Sequence, residues 1–160
     1  MPNGFSVREG SLFCEAVSAD SLAQRFATPL YVYSQTAITD AFAEWTDAFG
    51  GVEHLICFAV KANSNIAILK LLASLGSGFD IVSGGELQRV LAAGGDAGKV
   101  VFSGVGKSAA EIELALTAGI RCFNVESASE LALIERIARD LNTVAPISVR
   151  LNPDVDAKTH

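Results

Sequence analysis

Lys61 follows an apolar run, Leu-Ile-Cys-Phe-Ala-Val at 55–60, and precedes the polar stretch Ala-Asn-Ser-Asn. A primary amine at the end of a buried strand suits covalent work on a carbonyl compound. An apolar wall lowers an ammonium's pKa, and the free amine then condenses to an imine. Side chains alternate along a strand, so Cys57, Ala59 and Lys61 are expected on one face, where the small Ala59 leaves room for a flat ring. By position alone, a lysine that simply runs out into solvent is the commoner case.

The elements that must position this amine alternate regularly. Apolar, β-branched runs at 55–60, 78–83, 99–104, 121–126 and 146–152 read as strands. Between them, 66–76, 86–95, 109–119 and 129–142 carry helical spacing, with glycines closing the first three. Three helices open on Ser-x-x-Glu, at Ser83–Glu86, Ser108–Glu111 and Ser127–Glu130. This is the capping box, in which serine and glutamate satisfy backbone N–H groups reciprocally. The capping box therefore accounts for Glu86 without a role in chemistry.

The polar residues ending the strands, Lys61, Ser83, Ser103, Glu126 and Asn152, stand 22, 20, 23 and 26 residues apart. So short and even a unit predicts an α/β fold of the (β/α)8 TIM-barrel type, with about the first five βα units present. A doubly wound sheet would show a glycine-rich turn after its first strand, where this chain has Lys-Ala-Asn-Ser-Asn. Five strands leave a barrel open, with unpaired edges and a wet inner face, so the chain is expected to be a piece of a longer protein and poorly stable alone.

Residues 1–33 do not follow the repeat and are expected to form a separate N-terminal segment, with 34–160 as the truncated barrel. Two short extended pieces flank Arg8-Glu9-Gly10, Asp20 or Ser21 caps a short helix over 20–26, and 30–34 reads as a strand. The stripe Ile38, Phe42, Trp45, Phe49 has helical spacing and is expected to be core.

Composition excludes several classes. Hydrophobic residues make up 50% and charged residues 19%, which provides for a core and argues against disorder. The net charge of −6 comes with no basic cluster, so nucleic acid is not an expected partner. The longest early uncharged run, 26–39, is 14 residues with Pro29 inside it, too short and polar to span a membrane. The N-terminus lacks a secretory h-region. Cys14, Cys57 and Cys122 form no CxxC pair and no metal pattern, and read as small buried residues in a reducing compartment. A cytoplasmic location is the expectation.

Phe-Ala-Val-Lys-Ala-Asn at 58–63 resembles the [YF]-A-V-K-A-N motif of the fold-type III pyridoxal-phosphate decarboxylases. Gly78–Leu87, Asn124–Ser127 and Arg150–His160 resemble later blocks of that family in the same order. Phe26–Ser34 is similar to its G-T-P-x-Y-V-Y segment, with Ala27 replacing the usual glycine, and Phe58 stands where many members have tyrosine. The resemblance implies that Lys61 holds pyridoxal 5'-phosphate, that Asp80 lies near the bond so formed, and that Arg150 sits at the cofactor's edge, with Ala59 lining the ring. An ordinary surface or helix-capping role remains open for Asp80, and an ion pair with a neighbouring strand-end acid for Arg150. Glu126 is a further candidate at the barrel mouth. His54 lies at the wrong end of its strand for chemistry.

The resemblance also implies a homodimer, with residues 1–33 joining a β-domain. The phosphate-binding loops and the partner of the ring nitrogen are expected beyond residue 160. The C-terminal block is most similar to the branch acting on meso-2,6-diaminopimelate, an amino-acid substrate decarboxylated to L-lysine. Ornithine- or arginine-type substrates, or a non-catalytic cofactor-binding homologue, are the alternatives. Alanine racemases share barrel and lysine, but Asn63–Ala67 does not match their motif. The 160-residue piece alone is expected to be inactive.

Overall fold

A computed structural model describes residues 4–156 and 158, which fall into two compact units dividing after His54. In the first unit, β1 (Phe5–Arg8), β2 (Ser11–Cys14) and β3 (Val17–Ser18) form an antiparallel sheet in chain order. Arg8 pairs with Ser11, so Glu9 and Gly10 alone make the turn. Both have positive φ, 49° and 81°, the backbone that a tight hairpin between right-twisted strands requires.

Helix α1 (Ala19–Phe26) follows β3 without a linker. Its cap is Ser18, whose Oγ accepts from the Ser21 N–H at 3.2 Å. The cap thus falls earlier than Asp20 or Ser21, because the last strand residue already has the extended backbone that a cap needs. Residues 30–34 are not a strand: no ladder pairs with them among the described residues, and Tyr31 and Tyr33 are exposed. Ser34 instead caps α2 (Gln35–Ala48), accepting from the Ala37 N–H at 3.0 Å. No residue of α2 is buried, and Trp45 and Phe49 stack on each other in the open, with centroids 6.1 Å apart. Ile38 and Phe42 are half-buried, so among the described residues the stripe is only partly covered and Trp45 and Phe49 are not core.

The second unit is built on strand alternation. Phe79 and Ile81 are fully buried and Asp80 between them is half-buried; Val100 and Phe102 flank half-buried Val101, and Phe123 and Val125 flank half-buried Asn124. These runs form β4 (Cys57–Ala59), β5 (Gly78–Ile81), β6 (Val100–Phe102), β7 (Cys122–Val125) and β8 (Ile147–Val149), five parallel strands in chain order. Strictly sequential order separates a barrel from a doubly wound sheet, which reverses direction at a switch point. The unit is a run of five consecutive strands of the (β/α)8 type.

Helices α3 (Ile66–Ser74), α4 (Gly84–Ala92), α5 (Ala109–Ala118) and α6 (Ala128–Asp140) alternate with the strands, and each touches the next. They bury Leu69, Leu72, Leu87, Val90, Ile112, Ala115, Ile134 and Ile137. The Phe102 and Phe123 rings stack at 5.9 Å on the buried face of the sheet. The other face, with Ala59, Asp80, Val101 and Asn124, is half-open.

Ala27 carries a measurable strain. Its φ of 64° and ψ of −177° lie in a region open essentially to glycine alone, the residue that the resembling motif has there. Ala27→Gly is expected to stabilise the protein by about 1 kcal/mol, relief of strain exceeding glycine's added unfolded-state entropy. The check is a higher midpoint in urea denaturation; an unchanged or lower midpoint counts against the assignment.

Candidate active site

Strand β4 stops at Ala59, and Val60–Ala62 turn as a single 3-10 helix. Val60 is fully buried and Lys61 is exposed at the C-terminal rim. Exposure alternates through this turn, with Val60 covered and Ala59 and Lys61 on the open side. The Asn63 N–H donates to the Val60 carbonyl at 3.0 Å, Asn63 Oδ1 accepts from the Asn65 N–H, and Asn65 caps α3. The two asparagines thus fix the turn that presents the amine. Among the described residues Lys61 forms no ion pair.

Ala59 pairs in register with Asp80 on β5. The Asp80 carboxylate accepts from the Ser103 hydroxyl at 2.5 Å, and Ser103 Oγ accepts from Asn124 Nδ2 at 2.9 Å. A polar row therefore crosses from β5 past the end of β6 to β7 on the half-open face. Sequence reading noted Ser103 only as the end of a strand and missed Asn124. Its signal was a polar residue alternating with Phe123 and Val125 inside an apolar strand. Burial pushes the Cys57 and Cys122 thiols up, and for Cys57 the Asp80 charge adds to this. Neither is poised to compete with Lys61 as a nucleophile.

Arg150 lies just beyond β8 and pairs with Glu126 across the strand ends, Nη1 to Oε2 at 3.0 Å, with the arginine half-exposed and Glu126 only 14% exposed. Two sequence candidates are thus brought together. Glu86 accepts from the Val82 N–H at 2.7 Å, one residue before the Ser83 N–H that a capping box uses.

The buried pair Lys107–Glu130 was not anticipated. Lys107 follows β6 and its side chain is fully buried. Its ammonium donates to the Gly104 carbonyl at 2.6 Å, the Asn124 carbonyl at 2.9 Å and Glu130 Oε1 at 2.5 Å. All three protons are taken, which is what a buried ammonium needs. A lysine directly before a helix-capping serine looks like a surface residue in sequence, and Glu130 looked like a cap alone.

Only one of the three Ser-x-x-Glu segments closes reciprocally. At Ser108 the cap φ is −78°, and Glu111 Oε2 accepts from the Ser108 N–H at 3.0 Å. At Ser83 and Ser127 the cap φ is −155° and −154°, which turns the cap's own N–H away. Glu86 and Glu130 then take the N–H of the preceding residue, Val82 and Glu126. Glu111 also accepts from the Gly84 N–H at 2.8 Å, tying α4 to α5. A Cβ on Gly84 would stand 2.9 Å from Glu111 Cγ, so the contact needs glycine.

A parallel (β/α)8-type sheet with an exposed lysine at its C-terminal rim defines a class, and comparison agrees. Residues 35–160 match the family described as "Pyridoxal-dependent decarboxylase, pyridoxal binding domain", and the chain belongs to it. Among individual proteins it is similar to the diaminopimelate decarboxylase of Neisseria meningitidis serogroup B, 63% identical over 94% of this chain and 36% of that protein. It is 56% identical to that of Pseudomonas aeruginosa, over 98% of this chain and 38% of the relative. A crystal structure of diaminopimelate decarboxylase from M. jannaschii in co-complex with L-lysine superposes with a TM-score of 0.93 at 40% identity, over 99% of this chain and 38% of that one. The chain thus spans little more than a third of the length of these relatives.

Membership makes pyridoxal 5'-phosphate the cofactor of this domain, and the donor set present suits it. Lys61 offers an amine to an aldehyde, Ala59 keeps the neighbouring strand end small, Asp80 offers a carboxylate, and Arg150 offers a cation. No helix among the described residues is long and apolar enough to cross a membrane.

Two outcomes follow from these contacts. Lys107→Ala is expected to cost about 3–5 kcal/mol, since it strands Glu130 without its cation. Replacing both residues with apolar ones of similar size is expected to recover most of that loss, and chemical denaturation of the three proteins checks it. Backbone bonds from Gly84 and Ser108 hold the Glu111 carboxyl below its ordinary value. Its folded-state pKa is depressed, so its contribution is present above the unfolded value and lost as pH falls through the folded one. The stability gap between wild type and Glu111→Gln should shrink on acidification through the carboxylate range. A gap that widens instead would contradict the assignment.

Proposed function

We propose that the full-length protein is a pyridoxal-phosphate-dependent carboxy-lyase that converts meso-2,6-diaminopimelate to L-lysine and carbon dioxide. The observation that carries this is Lys61, an exposed amine without an ion-pair partner among the described residues, turned out at the C-terminal rim of the parallel sheet. The choice of substrate is supported by 63% identity to a diaminopimelate decarboxylase over nearly the whole chain.

When bound, the cofactor supplies an electron sink for the carbon–carboxylate bond that breaks. Lys61 would hold it through Nζ. Ala59 would leave room for it beside Lys61, and Asp80, the register partner of Ala59, would offer a carboxylate. Arg150 would supply positive charge, steadied by Glu126. Residues 1–33 belong with a β-domain of the whole protein, and 34–160 form the first part of its barrel. The working form is a cytoplasmic homodimer, and the 160-residue chain by itself does not turn over substrate.

Borohydride reduction of the full-length holoenzyme should fix the cofactor on Lys61, located by peptide mapping. Lys61→Ala should lose activity by several orders of magnitude. The same preparation should form lysine from diaminopimelate and leave ornithine and arginine unchanged. A label on another lysine sinks the site, and turnover of ornithine or arginine sinks the substrate.

A further inference from the structure

The half-open face of the sheet carries a hydrogen-bonded row that nothing above assigns to a task. Its direction follows from the groups themselves. Asp80 as a carboxylate only accepts, so the single Ser103 proton goes to Asp80 Oδ1. The Ser103 oxygen is then left as an acceptor, and the Asn124 amide fills it through Nδ2. The backbone of Asn124 is held in turn, since its carbonyl accepts from the buried Lys107 ammonium at 2.9 Å. That ammonium is anchored on Glu130, which also takes the Glu126 N–H at 2.8 Å.

The chain of contacts therefore runs from a fully satisfied buried ion pair to one oxygen of one carboxylate. Asp80 Oδ1 is taken, whereas Oδ2 accepts no hydrogen bond among the described residues. A carboxylate on a sheet face would otherwise rotate about its terminal torsion, which has broad wells. Ser103 removes that freedom and leaves Oδ2 as the unengaged oxygen of a carboxylate in register with Ala59.

We propose that Ser103 and Asn124 are positioning residues that orient the Asp80 carboxylate toward the cofactor's reactive end. This rests on the reading of Lys61 and Asp80 given under the proposed function. A hydrogen bond to a charged group, when lost, changes a rate roughly ten- to a hundredfold.

The test uses the full-length holoenzyme. Ser103→Ala should lower kcat/KM roughly ten- to a hundredfold. It should also shift the pH dependence of the bound cofactor's absorption band, a readout that loss of stability alone does not move. Asn124→Ala should do the same to a smaller degree, and Ser103→Thr, which keeps the hydroxyl, should restore both. In an Asp80→Ala background, Ser103→Ala should add nothing. A wild-type absorption titration in both Ser103→Ala and Asn124→Ala overturns the proposal, as does a full additional loss in the Asp80→Ala background. Should Ser103→Ala fail to fold, Asn124→Ala alone decides on the same readouts. Borohydride mapping of each variant separates the two levels: a label off Lys61 means the proposed function fails, whereas a label on Lys61 with unchanged titration means only this inference fails.

Discussion

A buried ammonium has to give away three protons without water, and Lys107 does so to three different parts of the chain. The acceptors lie in the loop after β6, in β7 and in the first turn of α6. Each is a strand-to-helix junction or its neighbour, on the rim where Lys61 and Arg150 also stand. Unpaired, such a charge would cost several kcal/mol, so the three pieces are locked together or the local structure fails. The positions of Asn124 and, through it, of Ser103 and Asp80 depend on that lock.

The same economy governs the helix starts. The sequence repeats Ser-x-x-Glu three times, and each serine accepts from the N–H three residues on. The glutamates then diverge. Glu86 steadies the end of β5, Glu111 bridges α4 and α5, and Glu130 neutralises Lys107. One local signature thus serves three tertiary purposes, because a cap leaves a carboxylate oxygen free to bond elsewhere.

Much of the fold was legible because its signals are local. Phe79, Ile81, Phe102, Phe123 and Val125 alternate with smaller or polar residues, and the helices bury side chains three and four apart, so strand and helix positions followed from periodicity. Sequential strand order followed from the even spacing of strand ends. Two readings failed where a neighbour decided the outcome. Residues 30–34 have strand character but no strand to pair with. Trp45 and Phe49 have the spacing of a core stripe but no cover.

By itself the sequence determined the parallel α/β architecture, the serine caps of α4 to α6 and the candidate amine, since backbone preference and side-chain period act over a few residues. Only the tertiary structure decided that Asp80, Ser103 and Asn124 form one row and that Lys107 meets Glu130. Those residues are separated by some twenty positions in the chain, and strand register alone brings them within hydrogen-bonding distance.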